Sequence, residues 1–245
     1  MTREKRPPVN YLVMASDVMS GLLFVFVILI VIMSLSYKQK IDEYKKITMF
    51  QKENKEILND LLKNIDKQMK KSDIYAEIDY KNGIIRLNNK SLNFSAGSHT
   101  LSGQYRENLI KISKIFNDTI PCYSSTPPNN MRCNERVKGT LNLVFIEGHT
   151  DNVPLGRKLA KKYNDNLELS TRRANFTYRL MTEEYSLLGE IMNNDQYPLF
   201  SVSGYGENRP VPGHSYSYIK EDVANRRIDI RFLMAIPTLN KEEVN

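Results

Sequence analysis

Cysteine is scarce. Cys122 and Cys133 are the only two in 245 residues, and neither stands just after the apolar run ending at Leu35, which argues against a lipoprotein anchor. Their spacing is wrong for zinc and no third ligand lies nearby. They bracket PCYSSTPPNNMRCNE, a turn-rich stretch that reads as a surface loop. In an oxidising compartment a disulfide closing that loop is natural; in cytoplasm the pair would be two free thiols. Arginine-rich helices, zinc-finger spacings and aromatic RNA-binding motifs are also missing, so the net charge of +7 does not mark a nucleic-acid binder. The basic residues of 38–71 alternate with acids instead, as on a solvated helix face. His149 has no second His or Cys at ligand spacing. Asp151 follows it closely, but no Ser or Cys context marks a triad. No catalytic residue, metal or cofactor is expected.

Charge is absent from Val18 to Leu35, 18 residues in all. About 20 apolar residues span a bilayer core of ~30 Å. A signal peptide would need a shorter apolar region, and Ser34-Leu35-Ser36 is only a faint cleavage site. The expectation is a basic tail at 1–10 and a transmembrane helix at 11–35. Asp17 stands at the lip of the run, with Ser20, Gly21 and Phe24 on its helical face. A carboxylate in the bilayer costs about 2.5–3.5 kcal/mol, so it is a functional candidate by default. Asp17 reads as an ion-carrying carboxylate; the plainer alternative is an interfacial Asp reaching the headgroups. Arg3, Lys5 and Arg6 precede the helix while Lys38, Lys40, Lys45 and Lys46 follow it, so flanking charge does not set its orientation.

Proline and glycine are missing from Tyr37 to Lys71, which reads as one helix forming a linker over 36–72. Tyr37, Tyr44, Gln51, Leu58 and Ile65 fall on one heptad position, and Ile47, Asn54 and Leu61 on another. That pattern predicts a weakly held parallel dimeric stalk with Gln51 and Asn54 fixing register; a single solvated helix is the alternative.

From Ser72 the pattern becomes strand-like. IYAEIDY (74–80) alternates, Lys81-Asn82-Gly83 is a hairpin turn, and IIRL (84–87) returns. Phe94 is a buried anchor. A helix is predicted over 101–117, a strand at 140–152 running into a polar loop, a helix over 166–185 with Ser170 as its cap, a strand at LFSVSG, and a final strand over 225–234. The fold class is α+β, with an α/β sandwich at 73–236, helices on one face of a mixed sheet, and a tail at 237–245.

Four motifs in this region, EGHTDNVP (147–154), NLELSTRRA (166–174), SGYGENRPV (203–211) and NRRIDIRF (225–232), resemble in order and spacing the OmpA C-terminal family, whose members bind peptidoglycan. The resemblance covers roughly Ile74 to Ile236. It implies that Asp151 and Arg173 hold the diaminopimelate head of the wall peptide and that Asn166 lines the same pocket. A zwitterionic head needs an anion for its ammonium and a cation for its carboxylate, and an Arg fork suits the latter. An internal Asp151–Arg173 salt bridge is the structural alternative. For Arg226 and Arg227 a structural role is expected, with at least one of them packing the last strand edge. The segment 117–138 departs from the family pattern and reads as an insertion.

The whole layout, with basic tail, single helix with an early Asp, helical linker and OmpA-like domain, resembles MotB-type stator subunits. The stretch ASDVMSGLLFVF is further similar to the ZorB family, the MotB-like subunits of the Zorya anti-phage defence system. The resemblance implies a multi-helix MotA-like (ZorA-like) membrane partner, a homodimer within a hetero-oligomeric stator, and peptidoglycan as anchor. It also places a single-pass protein in the bacterial inner membrane, its C-terminal domain in the periplasm, where Cys122 and Cys133 would pair. A flagellar MotB-type subunit and a plain membrane-tethered wall-binding protein are the competing readings.

Overall fold

The computed structural model describes residues 11–236, of Val13 the backbone only. The expected tails at 1–10, with Arg3, Lys5 and Arg6, and at 237–245 lie outside the described residues. Two compact units divide between Gln51 and Lys52. One helix, α1 (Tyr11–Lys71), supplies residues to both.

In the first unit the apolar run is helical throughout and exposed on every side. An 18-residue window has a mean hydropathy of 2.9 and no buried residue, making α1 the one helix among the described residues long and apolar enough to cross a membrane. A helix apolar all round has no polar face for water. Asp17 is exposed within it, and the Ser20 hydroxyl donates back to the Asp17 carbonyl at 2.9 Å. A Cβ at Gly21 would meet nothing within 4 Å, so that patch is open to close approach.

The second unit begins at Lys52 and so takes in the end of α1 as well as the expected sandwich at 73–236. Leu61, Leu62, Ile65 and Met69 are fully buried and belong to its core. Each such burial contributes about 1.5–3 kcal/mol. Half of the proposed dimer seam is therefore occupied within the monomer: Leu61 and Ile65 face their own domain, Leu58 packs on it, and the Asn54 amide donates to the Ala235 carbonyl at 2.8 Å. Apolar spacing marks a buried face without naming what buries it.

The sheet has five strands in the order β1-β2-β5-β3-β4. They are β1 (Glu77–Asp79), β2 (Ile84–Leu87), β3 (Leu141–Gly148), β4 (Phe200–Gly204) and β5 (Ile228–Met234). Only β3 and β4 pair in parallel. Gly83, with φ of +67°, closes the β1–β2 turn in the left-handed region. The strand period of two sorts β5: Ile228, Ile230 and Phe232 enter the core, whereas Asp229 and Arg231 lie on the other face. Helices α2 (Gly103–Thr119) and α3 (Asn166–Glu184), with the short α4 (Leu187–Glu190), cover the core face. Phe116 of α2 meets Phe232 edge-on at 6.1 Å.

The start of α3 departs from expectation in detail. Asp165 is its cap, accepting from the Glu168 amide at 2.8 Å. Ser170 lies inside the helix, where its hydroxyl accepts from the Gly206 amide at 2.9 Å. Two glycines paired in register, Gly148 and Gly204, let this end of α3 lie directly on the strands. A Cβ on the first would collide with the Ser170 carbonyl, and one on the second with Thr171. That close approach carries Asn166 and Arg173 to the rim of the sheet.

The 117–138 segment is closed by a Cys122–Cys133 disulfide with Cα atoms 5.2 Å apart. Beyond it, Arg136 pairs with Glu53 at 2.9 Å and Glu56 at 3.7 Å.

Candidate functional site

Past the end of β3 the chain turns through Thr150 and Asp151, held by hydrogen bonds that the His149 amide donates to the Arg227 carbonyl (3.0 Å) and the Thr150 amide to the Gly206 carbonyl (2.9 Å). A cleft of about 460 Å³ opens there, and Asp151, Asn166 and Arg173 all line it, with Phe94, Ser95 and Arg226. The three residues singled out in the sequence are thus brought together.

Each is held differently. Asn166, the first residue of α3, donates to the Val153 carbonyl at 3.0 Å and the Asp151 carbonyl at 3.4 Å, which fixes the loop. The Arg173 guanidinium is buried against Phe94, 5.2 Å from the ring centre, and donates to the Ser98 carbonyl at 2.9 Å. Among the described residues it has no carboxylate in ion-pair contact. Burial first, and then the Arg226 charge, pull its pKa down to about 10, so it is still a cation near neutral pH. The Asp151 carboxylate accepts from Arg226 at 2.8 Å and from the Asp222 amide at 3.3 Å.

The Asp151–Arg173 salt bridge is therefore not formed; Arg226 is the partner of Asp151, and Glu221 is its second at 2.7 Å. Arg227 does pack at the strand edge as expected, with its Nε 3.0 Å from Asp229. Arg226, by contrast, lines the cleft, a place that no motif in the sequence marks. The signal lay in the alternation: position 226 is in phase with Ile228 and Ile230, on the core side, where a guanidinium has no place. The strand starts at Ile228 instead, and Arg226 turns into the cleft. Chemically, the site offers a buried cation with no carboxylate in contact among the described residues, beside the Asp151 carboxylate, which is paired with Arg226. A ligand carboxylate suits Arg173, and an ammonium can compete with Arg226 for Asp151.

On the sheet face away from the core lies a second charged group of residues. Glu147, His149 and Asp229 bring ligand-type atoms within 4.8 Å of one another. Their chemistry does not fit a metal ion. Arg231 engages both Glu147 oxygens at 2.8 Å. Arg227 takes both Asp229 oxygens at 3.0 Å, and Arg86 stands 3.4 Å from Asp229. Both carboxylates are already paired with arginines, and those cations repel a dication. Burial pushes the Asp229 carboxyl up and the Arg227 guanidinium down, each toward its neutral form, so this pair fixes geometry more than it adds stability. His149 stacks on Tyr205 at 5.4 Å and does not line the cleft.

No protein-family model matches this sequence, and no curated protein matches it. Solved structures do. A MotB-like protein from Desulfovibrio vulgaris aligns over 76% of this chain and 99% of its own, at 17% identity and a TM-score of 0.53. The cell wall anchor of the T6SS from Pseudomonas aeruginosa aligns over 71% of this chain and 97% of its own, at 17% identity and 0.46. A periplasmic-domain fragment of Helicobacter pylori MotB covers 69% and 93%, at 18% identity and 0.43. At these identities the likeness establishes the fold: a mixed sheet with helices on one face, as in OmpA-like MotB domains.

Proposed function

We propose that this protein is a MotB-like stator subunit of an ion-driven motor in the bacterial inner membrane, single-pass, with residues 52–236 in the periplasm gripping peptidoglycan. Asp151 takes the ammonium and Arg173 the carboxylate of the wall peptide's diaminopimelate head, while Asn166 holds the loop between them. Asp17 is the ion-carrying carboxylate, working beside a multi-helix MotA-like partner against the open face at Ser20 and Gly21. The parallel dimer falls to the upper seam, where Tyr37 and Tyr44 are exposed. The string ASDVMSGLLFVF favours a ZorB-like role in Zorya anti-phage defence, with a ZorA-like partner, over a flagellar one. A neighbouring helicase or nuclease gene would support the defence role, and chemotaxis genes the flagellar one.

The observation that carries the wall-binding reading is Arg173: buried, charged, and without a carboxylate partner in the cleft that also holds Asp151. A buried cation left uncompensated costs free energy unless a ligand's anion completes it. The test is sedimentation of full-length protein, in detergent, with purified peptidoglycan. Asp151→Ala and Arg173→Ala should each weaken binding by about 2–5 kcal/mol, some thirtyfold or more. Asp151→Ala should melt close to wild type, because Arg226 keeps Glu221. Folded variants that bind the wall as well as wild type would remove this cleft from the function.

A further inference from the structure

The Asp151 carboxylate accepts from the Arg226 guanidinium and from the Asp222 amide on one oxygen, Oδ2. The Arg226 bond comes from a single nitrogen, Nη1, which also donates to Glu221 at 2.7 Å. That nitrogen is shared between two carboxylates in unlike settings: the Asp151 side chain is 9% exposed and the Glu221 side chain 73%. All three side chains line the cleft with Arg173, and the four charges balance, two of each sign. The backbone on either side of Arg226 is held without its guanidinium. Asn152 accepts from the Lys220 amide at 2.8 Å, while the buried Asn225 side chain accepts from the Val211 amide at 2.8 Å and donates to the His214 carbonyl at 2.9 Å. The bond from Arg226 to Asp151 is thus one of several ties on this loop, and the one that a ligand in the cleft can reach.

We infer that Arg226 is a resident stand-in for a ligand's ammonium: an incoming ammonium takes its place on Asp151 while Arg226 stays on Glu221, and this exchange sets how sharply the cleft separates zwitterionic heads from plain carboxylates. The inference rests on the wall-binding reading above and adds to it a specificity-determining residue that opposes binding. A site whose receiving carboxylate is already occupied binds with an affinity reduced by the fraction of molecules in which it is free. Glu221 lessens that handicap, because Arg226 keeps a second carboxylate already in contact when it leaves the first. A head with a carboxylate but no ammonium meets the opposite situation. It leaves Arg226 on Asp151 and finds two guanidiniums, Arg173 and Arg226, in one cleft. Arg226 therefore weakens the binding of the zwitterion and strengthens that of the plain carboxylate.

Calorimetric titration of the full chain in detergent, at one low ionic strength, tests this with two probes. One is the free stem peptide of the wall, containing diaminopimelate; the other is the same peptide with hydrogen in place of the free ammonium of that residue. Arg226→Gln should bind the first about threefold more tightly than wild type, the scale of one partly exposed ion pair removed from competition, and the second more weakly. Glu221→Gln should bind the first about twofold more weakly, since Arg226 then has Asp151 alone. In the Arg226→Gln background that loss should vanish. A loss that persists there means that Glu221 meets the ligand itself, and overturns the exchange. So does a first peptide bound no more tightly by Arg226→Gln than by wild type. Glu221 is exposed, so Glu221→Gln decides alone if Arg226→Gln does not fold: an unchanged affinity for the first peptide then overturns the proposal. Failure of wild type to bind the first peptide would instead bring down the reading of the cleft, and the exchange with it.

Discussion

His149 is 1% exposed, and its burial, reinforced by the charges of Arg227, Arg86, Arg209 and Arg231, lowers its pKa from the ordinary 6.5 to about 2. The folded protein therefore keeps this imidazole neutral where the unfolded chain protonates it. Between pH 6.5 and about 2 the unfolded state binds the extra proton, so stability is complete above 6.5 and falls as the pH drops. At pH 5 the loss from this one residue should be about 2 kcal/mol. Thermal melting followed from pH 7 to 4.5 should show it, and His149→Gln should flatten the slope whatever its starting stability. An equal slope in both proteins would mean that the imidazole is protonated in the fold. Asp79 and Asp222, whose carboxyls are held below the usual range, add their losses only at lower pH. At this scale the sequence was readable where a motif names a role. Asp151, Asn166 and Arg173 do share a cleft, but the pairing of Asp151 with Arg226 depends on where β5 begins, which side-chain types alone do not fix.

Among the elements, the strands and helices of the second unit follow their sequence periodicities closely. The hairpin of β1 and β2, the helices α2 and α3, and the alternating β5 all stand within a few residues of expectation. What the periodicity could not show is ownership. Leu58, Leu61 and Ile65 repeat as a dimer seam would, yet in the structure the face they mark is buried in the chain's own core. A fragment beginning at residue 73 loses Leu61, Leu62, Ile65 and Met69 together, all fully buried. Removing even one such side chain costs about 2–5 kcal/mol, against a whole-domain stability of about 5–15 kcal/mol. The 73–245 fragment should therefore be aggregated or lack a cooperative urea transition, while 52–245 should unfold in one step. Equal midpoints for the two fragments would show that the end of α1 is dispensable. Arg136, three residues past Cys133, also reaches this part of α1, pairing with Glu53 and Glu56.

For the whole molecule, the proposed function puts anchoring and conduction in different units, so the two should separate genetically. Asp17→Asn keeps the size and polarity of the side chain but cannot lose and regain a charge. It should leave membrane insertion, partner binding and wall sedimentation as in wild type and abolish phage protection or motility. Full activity of Asp17→Asn in either assay would refute the stator reading while leaving the anchor intact. The end of α1 adds a mechanical consequence. The chain N-terminal to Lys52 enters the second unit through a helix embedded in the core, not through a flexible loop. Tension along α1 must slide Leu61, Leu62, Ile65 and Met69 past their neighbours all at once, a shearing load shared over several contacts. A tether joined by a loop would instead be peeled away one contact at a time and yield at lower force.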